Sequence, residues 1–129
     1  MSSHYLLDTS ILILALNNDP VIRERLVTTD RAFISAVTLG ELYHGAESSL
    51  YINKNKIQID EIAQGATIFT VDQSTALTYG RLKSIQMLKG RMLPDNDLWI
   101  AATSLQHGLT LVARDNHFTW IDKLSLEQW

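Results

Sequence analysis

Short apolar runs alternate with longer stretches of helical periodicity along this chain of 129 residues. The apolar runs predict strands at residues 4–7, 32–35, 67–71 and 109–113, and the tail, 118–129, is a candidate for a last short strand. The intervening stretches predict helices at residues 11–16, from 20 onward, 37–50, 54–66, 74–89 and 95–106. Because strands and helices alternate throughout, the pattern predicts an α/β fold with a mainly parallel sheet.

Residues with strong capping preferences mark several of the predicted helix ends. Asp19 precedes a proline and Asp72 precedes the long helix at 74–89, so both acids are expected to cap a helix N-terminus. Gly90 and Gly108 are expected to close the helices that precede them.

The composition is that of an ordinary globular protein. The sequence contains no repeat and no linker, so residues 1–129 are expected to form a single domain. There is no cysteine, which excludes disulfides, thiol nucleophiles and zinc–thiolate sites. A net charge of −3 argues against a protein that coats nucleic acid, but not against an enzyme that reaches nucleic acid through bound metal ions.

The start of the chain resembles a targeting segment only superficially. The apolar run 11–16 is too short to span a bilayer, and Asp8 precedes it without a basic region. No membrane segment is therefore predicted, and a cytoplasmic location is expected.

Four acidic residues lie in settings where an unpaired charge is costly. Asp8 is the only Asp, Glu, Lys or Arg among the first eighteen residues, and Glu41 is the only one between positions 33 and 46. Asp97 lies near the start of an apolar helix, and Asp115 follows the last clear strand. Four such acids in one small protein indicate a shared compensating charge, for which a divalent cation is the natural candidate.

Each acid taken alone also has an ordinary structural explanation. Glu41 fits the exposed face of an amphipathic helix, Asp97 fits a first helical turn stabilised by the helix dipole, and Asp115 fits a turn. Asp8 fits a helix cap, but the hydroxyl residues at positions 9 and 10 are expected to cap the first helix and leave Asp8 without that role. The functional interpretation therefore depends on the four acids as a set.

The predicted topology brings the four acids together. In open α/β sheets, ligands bind outside the carboxyl ends of the strands. Asp8 and Asp115 follow strands, Glu41 lies in the helix after one, and Asp97 lies in the first turn of its helix, so loop geometry is expected to place all four at the same sheet edge. Carboxylates at one sheet edge suit Mg²⁺, and metal ions held there can activate water and stabilise the leaving oxygen of a phosphodiester.

Several other residues have two interpretations. His44 and His117 are expected to be packed or solvated, and Trp99 and Tyr43 are expected in the core or an interface rather than stacked on bases. The acid-free stretch 73–93 contains four basic residues, which form either a rim for a phosphate backbone or an ordinary solvated helix face. These residues are Arg81, Lys83, Lys89 and Arg91.

At this point the sequence resembles the PIN-domain ribonucleases, and most closely the VapC-type toxins of bacterial toxin–antitoxin pairs. The resemblance covers essentially the whole chain. It rests on LLDTS at 6–10, SAVTLGELYHG at 35–45, NDLWIAA at 96–102 and LTLVARDNHF at 109–118. The segment 96–102 is the most specific of the four.

The resemblance implies a three-layer α/β/α sandwich and a homodimeric, Mg²⁺- or Mn²⁺-dependent endoribonuclease. It implies that Asp8, Glu41, Asp97 and Asp115 are the metal ligands and catalytic residues, with Thr9 or Ser10 as a neighbouring hydroxyl. Ala113 departs from the family pattern, because many members have Thr or Ser there. The alternative is a catalytically inactive PIN-like scaffold whose acidic pocket receives a basic segment of a partner. A phosphate-transferring aspartyl enzyme is a weaker third option, because no second Asp follows Asp8 at the required spacing.

The region 37–66 contains more apolar residues than two amphipathic helices need for one core. Part of this surface is therefore expected to be exposed, to form a two-fold homodimer and a groove for a helix of a small partner protein. The resemblance identifies that partner as an antitoxin. A basic residue of the antitoxin is expected to pair with the acids and displace the metal.

Overall fold

In the computed structural model, which describes residues 4–29 and 32–129, five strands form one sheet. The strands are β1 (Tyr5–Leu7), β2 (Ala32–Ser35), β3 (Thr67–Phe69), β4 (Thr110–Val112) and β5 (Leu126–Glu127). Their order across the sheet is β3-β2-β1-β4-β5, and every neighbouring pair is parallel. The predicted mainly parallel sheet is confirmed, including the short strand in the tail.

Six α-helices and one 3₁₀ helix connect the strands in the described part of the chain. The α-helices are α1 (Thr9–Leu16), α2 (Pro20–Thr28), α3 (Ala36–Glu47), α4 (Ile52–Gln64), α5 (Gln73–Lys89) and α6 (Asp95–His107); the 3₁₀ helix is Asn116–Trp120. Asp19 and Asp72 cap α2 and α5, as predicted. Gly90 and Gly108 end α5 and α6 with φ angles of 67° and 64°, a left-handed conformation that glycine adopts without strain.

The junction between α3 and α4 lies earlier than the sequence pattern predicts. α3 ends at Glu47 rather than at residue 50, and the Ser49 side chain bonds to the last turn of the helix. The Ser49 hydroxyl donates to the carbonyl of Ala46 at 2.6 Å and accepts from the Asn55 amide at 2.8 Å. The next helix can therefore begin at Ile52, two residues before the predicted start.

Apolar side chains pack on both faces of the sheet. Leu6, on one face of β1, belongs to a core with α5, α6 and the 3₁₀ helix. Leu7, on the opposite face, belongs to a core with α1, α2, α3 and α4. Two helical layers therefore enclose the sheet, which confirms the α/β/α sandwich.

The sheet has a switch point at its central strand. β1 pairs with β2 on one side and with β4 on the other, so the chain runs outward from β1 in both directions. The pairing continues past the strand end, where the Asp8 amide donates to the carbonyl of Val112 at 2.9 Å. Such a switch point leaves a crevice at the carboxyl ends of the two strands, where α/β proteins bind ligands.

Candidate metal centre

Asp8 is a buried residue that caps α1. Its Oδ2 accepts hydrogen bonds from the Ser10 amide at 3.3 Å and from the Ser10 hydroxyl at 2.8 Å. The expectation that Thr9 and Ser10 cap this helix was wrong, because α1 already begins at Thr9 and Asp8 holds the N-cap position. Asp8 thus has a structural role, but a cap at a helix terminus does not require burial of the carboxylate.

Glu41 lies in the second turn of α3 and is held by α1. The Thr9 hydroxyl donates to Glu41 Oε1 at 3.0 Å and lies 3.4 Å from the hydroxyl of Thr38, which is fully buried. Glu41 is itself partly buried, so it does not fit the exposed-face alternative. Thr38 was not predicted as part of the site. The sequence feature that could have indicated it is its position three residues before Glu41 on the same helix.

The pKa of Asp97 reflects the charges of the other three acids. Asp97 lies in the first turn of α6 and is partly buried. Burial, followed by the negative charges of Asp8, Asp115 and Glu41, raises the pKa of Asp97 to about 6. Burial and the charge of Asp115 also raise the pKa of Asp8, although hydrogen bonds from Ser10 and the Thr9 backbone oppose that shift.

Asp115 follows β4 and caps the 3₁₀ helix. Its Oδ1 accepts from the backbone amide of His117 at 2.9 Å and lies 3.0 Å from Nδ1 of the same histidine. The His117 ring packs at a tilt against Trp120, with ring centroids 4.7 Å apart. His117 is therefore packed and partly solvated, as expected, and its ring also contacts Asp115, two residues before it in the sequence. His117 also opposes the rise in the pKa of Asp97.

The Ser10 hydroxyl links the strand ends that carry the first and fourth acids. It donates to Asp8 and lies 3.5 Å from the backbone amide of Arg114, the residue before Asp115. Ala113, which departs from the family pattern, is fully buried in the core that α5 and α6 cover. Ser10 therefore provides a hydroxyl at the junction of β1 and β4.

The donor set has the chemistry of a site for a hard divalent cation. Hydrogen bonds on Asp115 and on Glu41 each end on one carboxylate oxygen, Oδ1 and Oε1 respectively. Across residues 4–29 and 32–129, no three acidic or histidine side chains converge closely enough to hold an ion as they are placed. Repulsion from the other three carboxylates contributes, after burial, to the raised pKa of Asp97. A bound cation would offset this repulsion.

Two of the four basic residues in the acid-free stretch 73–93 are paired with neighbouring acids. Lys83 forms a 3.0 Å ion pair with Asp95, and Lys89 forms a 3.3 Å pair with Asp122. The predicted packing of Trp99 has a specific partner, because its ring stacks on Tyr79 with centroids 3.8 Å apart. The contacts of Lys83 with Asp95 and of Trp99 with Tyr79 hold α5 against α6. No helix in the described ranges is long and apolar enough to cross a membrane.

The PIN domain family matches residues 5–124 of this chain. Ribonuclease VapC2 of Haemophilus influenzae is 30% identical over 128 residues, which cover 97% of each chain. The tRNA(fMet)-specific endonuclease VapC of Salmonella typhimurium is also 30% identical over 128 residues and 97% of each chain. In the solved structure of DNA-bound VapBC from Salmonella typhimurium, one chain is 28% identical and superposes with a TM-score of 0.91 over 98% of both chains.

The chain belongs to the PIN-domain family. The family, the fold class and the general function predicted from the sequence, an endoribonuclease toxin of a toxin–antitoxin system, are therefore confirmed.

The raised pKa of Asp97 predicts a pH-dependent loss of stability in the metal-free protein. The folded state holds this proton up to about pH 6, whereas an ordinary aspartate ionises near 3.8. The contribution of Asp97 to stability is therefore fully present below about pH 4 and is lost as the pH rises to about 6. In urea unfolding with EDTA, the stability of Asp97→Asn relative to the parent should rise across this interval, by on the order of 1 kcal/mol after solvent screening.

Asp95→Asn is the matched control for this measurement. Hydrogen bonds from Tyr79 and Lys83 lower the pKa of Asp95, so its carboxylate stabilises the fold above the unfolded pKa. The stability of Asp95→Asn relative to the parent should therefore change little above the unfolded pKa of 3.8, whereas that of Asp97→Asn changes between about pH 4 and 6. Curves for Asp97→Asn that run parallel to those of the parent between pH 4 and 7 would contradict the acid cluster.

Proposed function

We propose that the endoribonuclease activity depends on Mg²⁺ or Mn²⁺ held by the four acids at the carboxyl ends of β1 and β4. The observation that carries this proposal is the placement of the acids around the ends of β1 and β4, where Asp8 is buried. Burial, followed by the charges of Asp8, Asp115 and Glu41, raises the pKa of Asp97 there. No feature of residues 4–29 and 32–129, and none of the relatives named above, favours the inactive scaffold. The protein is proposed to act in the cytoplasm on cellular RNA.

The residues of the site have separate tasks in this proposal. Asp8, Glu41 and Asp97 hold the principal ion, and Asp115 completes the site or holds a second, weaker ion. When bound, the metal supplies activation of the attacking water and neutralisation of the charge that develops on the phosphate. Ser10 orients the Asp8 carboxylate and Thr9 orients Glu41, through the hydrogen bonds they donate. These contacts fix the ligands before substrate arrives.

Asp97→Asn should abolish metal-dependent RNA cleavage while the protein stays folded. Loss of one ligand carboxylate from a preorganised site is expected to lower kcat by at least on the order of 10²-fold. Asp95→Asn removes an acid from the same helical turn, but one already paired with Lys83, and should retain most of the activity. Cleavage of total cellular RNA with added Mn²⁺, with EDTA as the blank and with the cut ends mapped, measures both. Parent-like cleavage by folded Asp97→Asn would show that the ligand assignment is wrong.

An apolar groove on the α1 side supports the proposal of an antitoxin partner. Two adjoining depressions that share Leu16 and Gln58 run along α1 between α2 and α4, and Glu41 lies at one end. Their lining includes Ile13 and Val27, which are exposed. An amphipathic segment of the antitoxin in this groove would carry a basic side chain to Glu41, where it would compete with the metal.

Ile13→Asp should weaken binding of the antitoxin. The Ile13 side chain is 46% exposed in the groove, whereas Val21 is 56% exposed on α2 and does not line it, so Val21→Asp is the matched control. Co-purification with the product of the neighbouring gene, followed by titration calorimetry, compares the two variants. A charge in an apolar groove is expected to cost roughly tenfold or more in affinity. Equal binding by both variants would exclude this groove.

A second exposed apolar surface, on α5, suits the proposed homodimer. Leu77, Ile85 and Leu88 recur at helical spacing on the outer face of this helix and are all exposed. An antiparallel two-fold pairing about the middle of α5 would set Leu77 of one copy opposite Leu88 of the other and Ile85 over Gly80. A Cβ at Gly80 would meet open space, so packing within one copy does not require glycine there. Glycine does leave room for a second helix.

Leu88→Asp should convert the dimer to a monomer. Leu50, at the junction of α3 and α4, belongs to the surface that the sequence analysis favoured for the dimer, and Leu50→Asp is matched in exposure at 93% against 90% for Leu88. Light scattering of the two variants without antitoxin separates the surfaces. Dissociation by Leu50→Asp alone would assign the dimer to the 37–66 region instead.

A further inference from the structure

A fully buried glutamine connects two chain segments that lead to the acid site. Gln86, on the inner face of α5, has no solvent exposure. Its Nε2 donates to the carbonyl of Arg91 at 2.8 Å and to the carbonyl of Trp120 at 3.2 Å. One side-chain amide therefore holds both the connection between α5 and α6 and the end of the 3₁₀ helix.

Each of these segments carries one of the proposed metal ligands. The connection held at Arg91 leads directly into α6, whose first turn contains Asp97. The 3₁₀ helix held at Trp120 is capped at its other end by Asp115. The two segments contact each other as well, since the Arg91 guanidinium lies 5.7 Å from the Trp120 ring centroid. The relative position of Asp97 and Asp115 thus depends on the place where Gln86 joins their supports.

The burial of Gln86 is not explained by stability alone. Its Oε1 is buried and has no hydrogen-bond partner among the described residues, which is unfavourable for a polar atom. Lys89 already donates to the Trp120 carbonyl at 2.9 Å from the protein surface. An apolar side chain of similar length would fill the same space without the unpaired oxygen, but it would remove the donor to the Arg91 carbonyl. What only the amide provides is a simultaneous link to both segments.

We propose that Gln86 is a positioning residue for the acid site, which sets the separation of Asp97 and Asp115 by holding the backbone segments that carry them. The inference rests on the proposed metal-dependent function. Gln86 touches neither metal nor RNA and acts through the two carbonyls that it binds.

The test compares two buried polar residues of the same helix. Gln86→Met removes both hydrogen bonds at nearly constant length. Thr75→Val is the matched control, because Thr75 is equally buried on α5. Its hydroxyl donates to Asp72 Oδ1 and Gln106 Oε1 and accepts from the Asp72 amide, so it contacts none of the four proposed metal ligands. Mn²⁺ affinity is measured by electron paramagnetic resonance of the free ion, and thermal melting and the kcat and KM of RNA cleavage are measured on the same proteins. Lys89→Met, an exposed change that removes the second donor to Trp120 together with the ion pair to Asp122, provides a variant that does not disturb the core.

Both buried variants should melt at lower temperature than the parent. Gln86→Met should in addition raise the Mn²⁺ dissociation constant by roughly tenfold, as expected for groups that orient metal ligands, and lower kcat more than it changes KM. Thr75→Val should keep the parent affinity for Mn²⁺, and Lys89→Met should show a smaller effect in the same direction as Gln86→Met.

The outcomes separate this inference from the function on which it rests. If the parent binds Mn²⁺ and cuts RNA while Gln86→Met keeps the parent affinity, Gln86 is only structural and the inference is overturned. The same holds if Gln86→Met does not fold and Lys89→Met has parent affinity. If the parent neither binds Mn²⁺ nor cuts RNA, the proposed function fails first, and the role of Gln86 fails with it.

Discussion

The parallel pairing of β1 with β4 is the constraint on which the site depends. These strands are far apart in the chain, and their register sets Leu7 beside Val112 at the strand ends. Asp8 is the residue after β1, and its amide continues the hydrogen-bond ladder by donating to the Val112 carbonyl. Asp115 follows the end of β4 by only three residues. A shift of one residue in this register would displace the first acid relative to the fourth by the rise of a strand residue, about 3.3 Å. It would also turn Leu6 and Leu7 towards the wrong cores.

The acids of this site have both structural and electrostatic roles. Asp8 and Asp115 each cap a helix, and each accepts its capping hydrogen bonds on a single oxygen. A cap stabilises the ionised carboxylate, because backbone N–H groups and the helix dipole favour negative charge. Asp97 also lies at a helix N-terminus, but α6 has no side-chain cap, and burial beside three other acids outweighs the dipole. This difference explains why Asp97 shows the large shift in pKa.

The fold was predictable from the sequence where local chemistry decides the structure. Asp19, Asp72, Gly90 and Gly108 act at helix ends as their residue types predict. The alternation of short apolar runs with helices was sufficient for the parallel sheet. The α3–α4 junction was not, because it depends on hydrogen bonds from Ser49 and Asn55 that no periodicity reveals.

The candidate site was predictable only in part. Strand-end positions made the grouping of the four acids foreseeable, since parallel strands bring their carboxyl ends together. The groups that surround the acids were harder to predict from the sequence. Thr9 contacts Glu41 across 32 positions of sequence, and Gln86 contacts Trp120 across 34. Such contacts follow from how α1, α3 and α5 pack against the sheet. Sequence patterns therefore identify residues that carry charge more readily than residues that hold them in place.

The same electrostatics connects catalysis with regulation. Carboxylates at one sheet edge repel one another, and any cation that enters gains the energy released when that repulsion is offset. A divalent ion and a basic side chain of a partner would therefore compete for the same carboxylates. The hydrogen bonds from Thr9, Ser10 and His117 limit how far the acids can move apart to relieve their repulsion. Because the fold resists that relaxation, the cluster keeps its attraction for either cation. Under the proposed function, the identity of the bound cation would decide whether the protein cuts RNA or is inhibited.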